Sequence, residues 1–205
     1  MRILLALYLA ACACSSWAAD ASAKLIAQLQ AIDSLKGDYS QTITDKKGAL
    51  VQKTQGDFVI KRPGYFYWAS KGTQEQKVIG NPQKLWVYDP DLEQVTVRKN
   101  PGDSDNSPAR LLSGDVAKMA PLFKVAEKQN GVEQEFTLVP KKPEKEQLKQ
   151  IQFTFTGGSL ASLAFEDKLG QTTRLTLSNT AANTPVDMAM FTFVPKPGTD
   201  VIEND

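Results

Sequence analysis

The chain has 205 residues, of which 23% are charged and 8% aromatic, with 24 basic residues against 23 acidic ones. That length supports a hydrophobic core without disulfide help, and a near-neutral chain with no basic block is a poor partner for nucleic acid. The absence of histidine excludes Ser-His-Asp and Cys-His catalytic sets and the usual zinc and iron ligand sets.

Arg2 precedes an apolar run from Ile3 to Ala11, and small residues follow as far as Ser16-Trp17-Ala18. A cation, a short apolar core and a small-x-small end make a secretory signal peptide. The run is shorter than the ~20 residues that span a bilayer. Cleavage after Ala18 is expected, leaving residues 19–205 as one domain. Leu9-Ala10-Ala11-Cys12 also fits a lipoprotein cleavage box, with Cys12 taking the lipid. Cys12 and Cys14 both fall in this leader, so cleavage at Ala18 removes any disulfide or thiolate site. Loss of Arg2 also brings the mature chain to net zero.

Leu25, Ile26, Leu29 and Ile32 recur at helical spacing, which predicts a helix over Ala21–Leu35, capped by Asp20 or Ser22 and stopped at Gly37. From Asp38 the period changes to two. Phe58 with Ile60, Phe66 with Trp68, and Trp86 with Tyr88 alternate with their neighbours. Ile151-Phe153-Phe155, Leu163-Phe165, Leu175-Leu177 and Phe191-Phe193 do the same. Arg62-Pro63-Gly64, Gly80-Asn81-Pro82, Asp89-Pro90-Asp91 and Gly157-Gly158 mark turns between them. The pattern predicts a mainly β chain, an antiparallel meander of about eleven strands with a few short helices. Residues 101–121 interrupt it: loop composition, then Ser107-Pro108 opening a short helix with Leu111 and Leu112, and a second helix over Asp115–Met119. Their apolar residues find cover most simply on the concave face of the sheet, as a lid. The mixed-sign run Lys141-Lys142-Pro143-Glu144-Lys145-Glu146 reads as a solvated hairpin tip.

Little chemistry is available. No phosphate loop or dinucleotide glycine pattern occurs. Asp89, Asp91 and Glu93 are the only candidate carboxylate pair for glycoside chemistry, and a hairpin turn accounts for the first two. Asp103-Ser104-Asp105 opens like a calcium loop, but Pro108 and Gly114 occupy its glycine and glutamate positions. No cofactor or metal is expected, and the chain reads as a binding protein rather than an enzyme.

Several segments in one collinear order resemble the periplasmic outer-membrane lipoprotein carriers, the LolA family. They are Tyr39-Ser40-Gln41, Gln55-Gly56-Asp57-Phe58, Lys61-Arg62-Pro63-Gly64-Tyr65-Phe66 with Trp68, and Leu85-Trp86-Val87-Tyr88-Asp89-Pro90-Asp91-Leu92-Glu93-Gln94-Val95. Pro108-Ala109 with Leu111-Leu112, Phe136 to Lys141, Asp167-x-x-Gly170-Gln171 and Phe191-x-Phe193-x-Pro195 complete the likeness, while residues 113–134 match little. The resemblance implies an unclosed antiparallel β half-barrel covered by a helical lid. It implies a periplasmic chaperone that accepts acylated lipoproteins released by an inner-membrane ATP-driven transporter and passes them to an outer-membrane acceptor; a monomer is expected because a shuttle must diffuse.

Phe58, Phe66, Trp68, Trp86, Tyr88, Leu111 and Leu112 are the expected lining of an acyl cavity. Leu85 and Val87, on the opposite face from Trp86 and Tyr88, compete for that role. The resemblance also makes Arg62 a latch that donates hydrogen bonds to the backbone of the lid when the cavity is empty. Other readings stay open: a half-barrel binding a free lipid or glycolipid, a carboxylate-dependent glycosidase, and a sensor of mislocalised lipoproteins.

Overall fold

In the computed structural model, residues 14–72, 75–99 and 108–204 are described. Helix α1 (Cys14–Gln30) is followed by strands β1 (Ser34–Thr44), β2 (Leu50–Lys61), β3 (Tyr65–Lys71), β4 (Gln76–Gly80), β5 (Lys84–Asp89) and β6 (Gln94–Lys99). Short helices α2 (Pro108–Ser113) and α3 (Val116–Met119) come next. Strands β7 (Phe123–Asn130), β8 (Glu133–Pro140), β9 (Leu148–Thr156), β10 (Ser159–Asp167), β11 (Thr172–Ala182) and β12 (Asp200–Asn204) complete the chain. They form one open sheet in the order β12-β6-β5-β4-β3-β2-β1-β11-β10-β9-β8-β7. Every pairing is antiparallel except β6 with β12.

Expectation and structure differ at both ends of the first helix and in the C-terminal segment, and the strands number twelve. The first helix ends at Gln30, and Gly37 lies inside β1 opposite Phe58. What turns the chain there is a residue far away in sequence: Asn183 Oδ1 accepts from the amides of Asp33 (2.8 Å) and Ser34 (3.3 Å), while its Nδ2 donates to the Ala31 carbonyl (2.8 Å). No local pattern around residue 35 carries that signal. Neither Asp20 nor Ser22 caps α1, because both lie inside it; Asp20 instead pairs with Lys24 at 3.2 Å, one turn on. Phe191 and Phe193 are not a strand: Met188–Phe191 is a 3-10 turn, and the last strand is β12, which lies parallel to β6. Of the expected leader, residues 1–13 lie outside the described residues, as do residues 101–107 of the expected lid insertion.

Opposed residues in an antiparallel pair share a face, so the register traces the inner surface. Phe136, Phe153, Leu163 and Leu175 stand opposite one another in turn across β8, β9, β10 and β11. Leu177 then meets Tyr39 across β11 and β1. Phe58, Trp68, Val78 and Val87 form a row across β2 to β5, with Ile60, Phe66, Gly80 and Leu85 beside it. All but Val78, Val87 and Gly80 are buried parts of one apolar cluster, against which Val78 and Val87 pack. Two glycines leave room on this face. The ring of Phe66 lies where a Gly80 side chain would stand, and Gly56 on β2 separates Tyr39 from Trp68, whose rings meet at 4.5 Å. A side chain on Gly56 would run into the Ala69 carbonyl. Gly56→Ala should therefore lower the thermal midpoint by many degrees or prevent folding, whereas Gly48→Ala, in an open turn where only the positive φ is strained, should cost about 1–2 kcal/mol in a denaturant titration.

Candidate functional site

The helices all lie on the inner face. Leu25 and Leu29 of α1 are fully buried against it, with α1 packed on β7; α2 rests on β2 and β3. Ala109 and Leu112 of α2 and Val116 of α3 belong to the same cluster as the sheet's aromatics, and Leu111 and Met119 pack against it from the side. Pro108 opens α2 as its first residue. Asp115 caps α3, its carboxylate accepting from the Ala117 amide at 3.0 Å. Complete burial of a Leu or Val is worth about 1.5–3 kcal/mol, so the lid helices are held by the residues they hide.

Phe58, Phe66, Trp68, Leu111 and Leu112 are thus brought together. Trp86 and Tyr88 are not. Trp86 joins Ile79, Val95 and Val97 in a second cluster, with Tyr67, Tyr88 and Phe193 packed against it. Leu85 and Val87 take the inner positions. On β5 both faces are apolar, and alternation alone does not say which one turns inward. The C-terminal segment settles it by covering the outer face. Phe193 meets Tyr88 with ring centres 4.8 Å apart, Phe191 meets Tyr65 at 5.6 Å, and Asn81 Nδ2 donates to the Phe191 carbonyl at 3.1 Å.

Arg62 sits where the sheet, α1 and the lid converge. Its Nε donates to the Ile32 carbonyl at 3.0 Å, past the end of α1, and its Nη1 donates to the Gly114 carbonyl at 2.5 Å, between α2 and α3. The main chain of the same turn reinforces both links: Arg62 N–H donates to Asp33 O and Gly64 N–H to Ser113 O, each at 2.8 Å. Burial pushes the guanidinium down to about 10, against the opposing pull of the Asp115 carboxylate, so it remains charged at neutral pH. A half-buried cation that bonds two carbonyls beside one carboxylate relies on those hydrogen bonds, each worth about 1.5–3 kcal/mol when one partner is charged.

Asn183, which holds the Ile32–Ser34 turn, and Gln28, whose amide donates to Gln134 at 2.5 Å to fix α1 on β8, have no signature in the sequence. Nearer the middle of the inner face, burial raises the Tyr39 phenol to about 12 while a hydrogen bond from Trp68 works against the shift. Tyr39 therefore stays neutral. Among the described residues no cluster of three or more acids, cysteines or histidines is placed to hold a metal, and no helix is long and apolar enough to cross a membrane. Asp89 makes an Asx turn, its carboxylate accepting from the amides of Asp91 (3.1 Å) and Leu92 (3.2 Å).

The facing assignment has a direct test. Binding of a fluorescent fatty-acid probe should change severalfold in Phe66→Leu or Leu85→Ala, and stay within about twofold of the parent in Trp86→Phe, because the Trp86 side chain points away from the inner cluster. Equal effects from the three variants would contradict it.

Comparison with known proteins agrees with the architecture. Residues 30–194 match the family model described as outer membrane lipoprotein carrier protein LolA. An outer-membrane lipoprotein carrier protein of Alcanivorax borkumensis is 37% identical over 185 residues, 90% of this chain and 88% of that one. A protein of the same name from Pseudomonas aeruginosa is 36% identical over 208 residues, 99% of this chain and the whole of its own. Among solved structures, an uncharacterised conserved protein of Thermus thermophilus shares the fold, with a TM-score of 0.55 at 9% identity, covering 91% of this chain and 99% of that one. An open antiparallel sheet with helices on its apolar face, matched in sequence over most of its length by these relatives, places the chain in the LolA family of outer-membrane lipoprotein carrier proteins.

Proposed function

We propose that this chain is a periplasmic carrier that shields the acyl chains of lipoproteins released from the inner membrane by an ATP-driven transporter and delivers them to an outer-membrane acceptor. The observation that carries the reading is the concave apolar face closed by short helices. Acyl chains are costly in water at ~0.8 kcal/mol per CH₂, and a sheet face of Phe58, Phe66, Trp68, Leu85, Phe136 and Phe153 offers an apolar substitute for the bilayer. Relatives bear the name outer-membrane lipoprotein carrier protein, which supports the same cargo here. The carrier performs no covalent chemistry in this reading; the leader directs export, and the insertion at about 101–121, of which residues 108–121 are described, forms the lid.

The lid's own apolar groups occupy the face on which acyl chains would lie. Opening it for cargo exposes Leu112 and Val116 and breaks the Arg62 side-chain bond to Gly114 and the Gly64 amide bond to Ser113. Closure therefore competes with cargo, and the apparent affinity falls by the fraction of molecules already open. That competition makes release to an acceptor possible. Arg62 is the latch: it joins the lid to the α1 end of the molecule through two carbonyls, a task for which its fixed fork of donors suits it better than lysine.

Incubation of the mature protein with inner-membrane spheroplasts should release acylated lipoprotein into the supernatant as a one-to-one complex. Purified protein that carries only free lipid and releases no lipoprotein would favour a general lipid-binding role. Arg62→Leu should still take up lipoprotein but deliver about tenfold less to the acceptor or worse, because loss of the charge-assisted bond to Gly114 shifts closure by about 1.5–3 kcal/mol. Undiminished delivery by that variant would remove the latch.

A further inference from the structure

The end of the sheet opposite Arg62 carries a surface that the carrier reading does not use. Strand β1 starts beside Arg62 and ends at Thr44, about 33 Å away at ~3.3 Å per residue. Two hairpin turns lie side by side there, Asp45-Lys46-Lys47-Gly48-Ala49 between β1 and β2, and Asp167-Lys168-Leu169-Gly170-Gln171 between β10 and β11. They are built alike. Asp45 Oδ1 accepts from the amides of Lys47 (2.8 Å) and Ala49 (2.9 Å), and Asp167 Oδ1 accepts from those of Leu169 (2.8 Å) and Gln171 (2.9 Å). In each turn the glycine N–H also returns to the aspartate carbonyl, at 2.9 and 3.1 Å. The two tips touch: a side chain on Gly170 would stand 2.9 Å from Lys46 Cβ.

The tips display aliphatic groups and cations together. Leu169 is 83% exposed, Leu50 61% and Val51 59%. Around them Lys46, Lys47, Lys53 and Lys168 are exposed, and Arg174 stands on the same row as Lys53, both opposite Thr42. Among the described residues none of these five cations forms an ion pair, whereas Lys24, Lys61, Lys71, Lys99 and Lys149 each hold a carboxylate. The acids at this end are engaged: Asp45 and Asp167 build the turns, and Glu166 pairs with Lys149 at 2.6 Å.

We propose that these twin turns are a docking surface for an anionic phospholipid membrane. Aliphatic side chains on two braced turns suit shallow entry among acyl chains, while the surrounding lysines lie at headgroup level. The composition fits lipid better than protein, since protein interfaces concentrate Trp, Tyr and Arg in a packed centre and are depleted in lysine. The inference needs no lipoprotein cargo, so it can fail while the carrier reading stands, and the reverse.

The test is sedimentation of the mature, cargo-free protein with vesicles of phosphatidylethanolamine and phosphatidylglycerol, with phosphatidylcholine vesicles as the control. Binding should be confined to the anionic vesicles and should fall steeply between about 0.05 and about 0.5 M salt as charges are screened. Each of Lys46→Gln, Lys47→Gln and Lys168→Gln should weaken it about fivefold. Leu169→Ser with Leu50→Ser should weaken it further at unchanged salt dependence. All five positions are exposed, and an unchanged thermal midpoint will verify that the variants fold. No binding to anionic vesicles at low salt, or binding that these variants leave unaltered, overturns the proposal. Lost lipoprotein delivery in the same variants without vesicle binding also overturns it, and assigns the surface to an acidic protein partner.

Discussion

One alternation, carried across the sheet by strand register, decides what this protein hides and what it shows. From Phe136 through Leu175 to Tyr39, and again from Phe58 to Val87, each inner residue is placed by the partner opposite it. A slip of one residue anywhere would turn a strand's apolar set outward. Bulges are kept to places where the face tolerates them, as between Lys36 and Asp38 and between Leu160 and Ser162. The sheet does not close, with β7 and β12 at its edges, so its inner surface needs a cover. α1, α2 and α3 provide it.

Because α2 and α3, of six and four residues, are too short to be stable alone, their position is set by packing and by a few hydrogen bonds to main-chain carbonyls. Arg62 supplies two of these from a single side chain, and Asn183 fixes the turn whose Ile32 carbonyl receives one of them. An enzyme's site would fix its groups against a reacting atom. Here the polar groups hold short helices over an apolar face, the arrangement on which the proposed carrier role rests.

The two ends of the half-barrel differ accordingly. Around Arg62 the main-chain groups of the turns are linked to one another and the apolar residues are buried. At the twin turns the cations form no ion pair among the described residues and the aliphatic residues face solvent. Charge that nearly balances over the sequence, with 24 basic residues against 23 acidic ones, is thus unevenly placed. Such a distribution orients a protein toward a surface without adding to the stability of its fold.

Much of this was legible in the sequence. Period-two runs separated by glycine and proline marked most strands, Pro108 marked the start of α2, Asp115 marked α3, and the absence of histidine narrowed the chemistry. The aromatic residues at 58, 66 and 68 could be placed together because their neighbours on β2 and β3 are joined by a short turn. Alternation, however, is a relative signal. It put Trp86 and Tyr88 on one face and Leu85 and Val87 on the other without naming the inner one, since both pairs are apolar; only Phe193, arriving from over a hundred residues away, distinguished them. The stop of α1 at Gln30, the parallel pairing of β12 and the meeting of the two aspartate turns are likewise contacts between distant segments. The sequence by itself determined the elements, their period and the shortage of chemistry, because these depend on near neighbours. The tertiary structure alone decided which face is inside and which residues end each element, because those are settled by groups that become neighbours only when the sheet has formed.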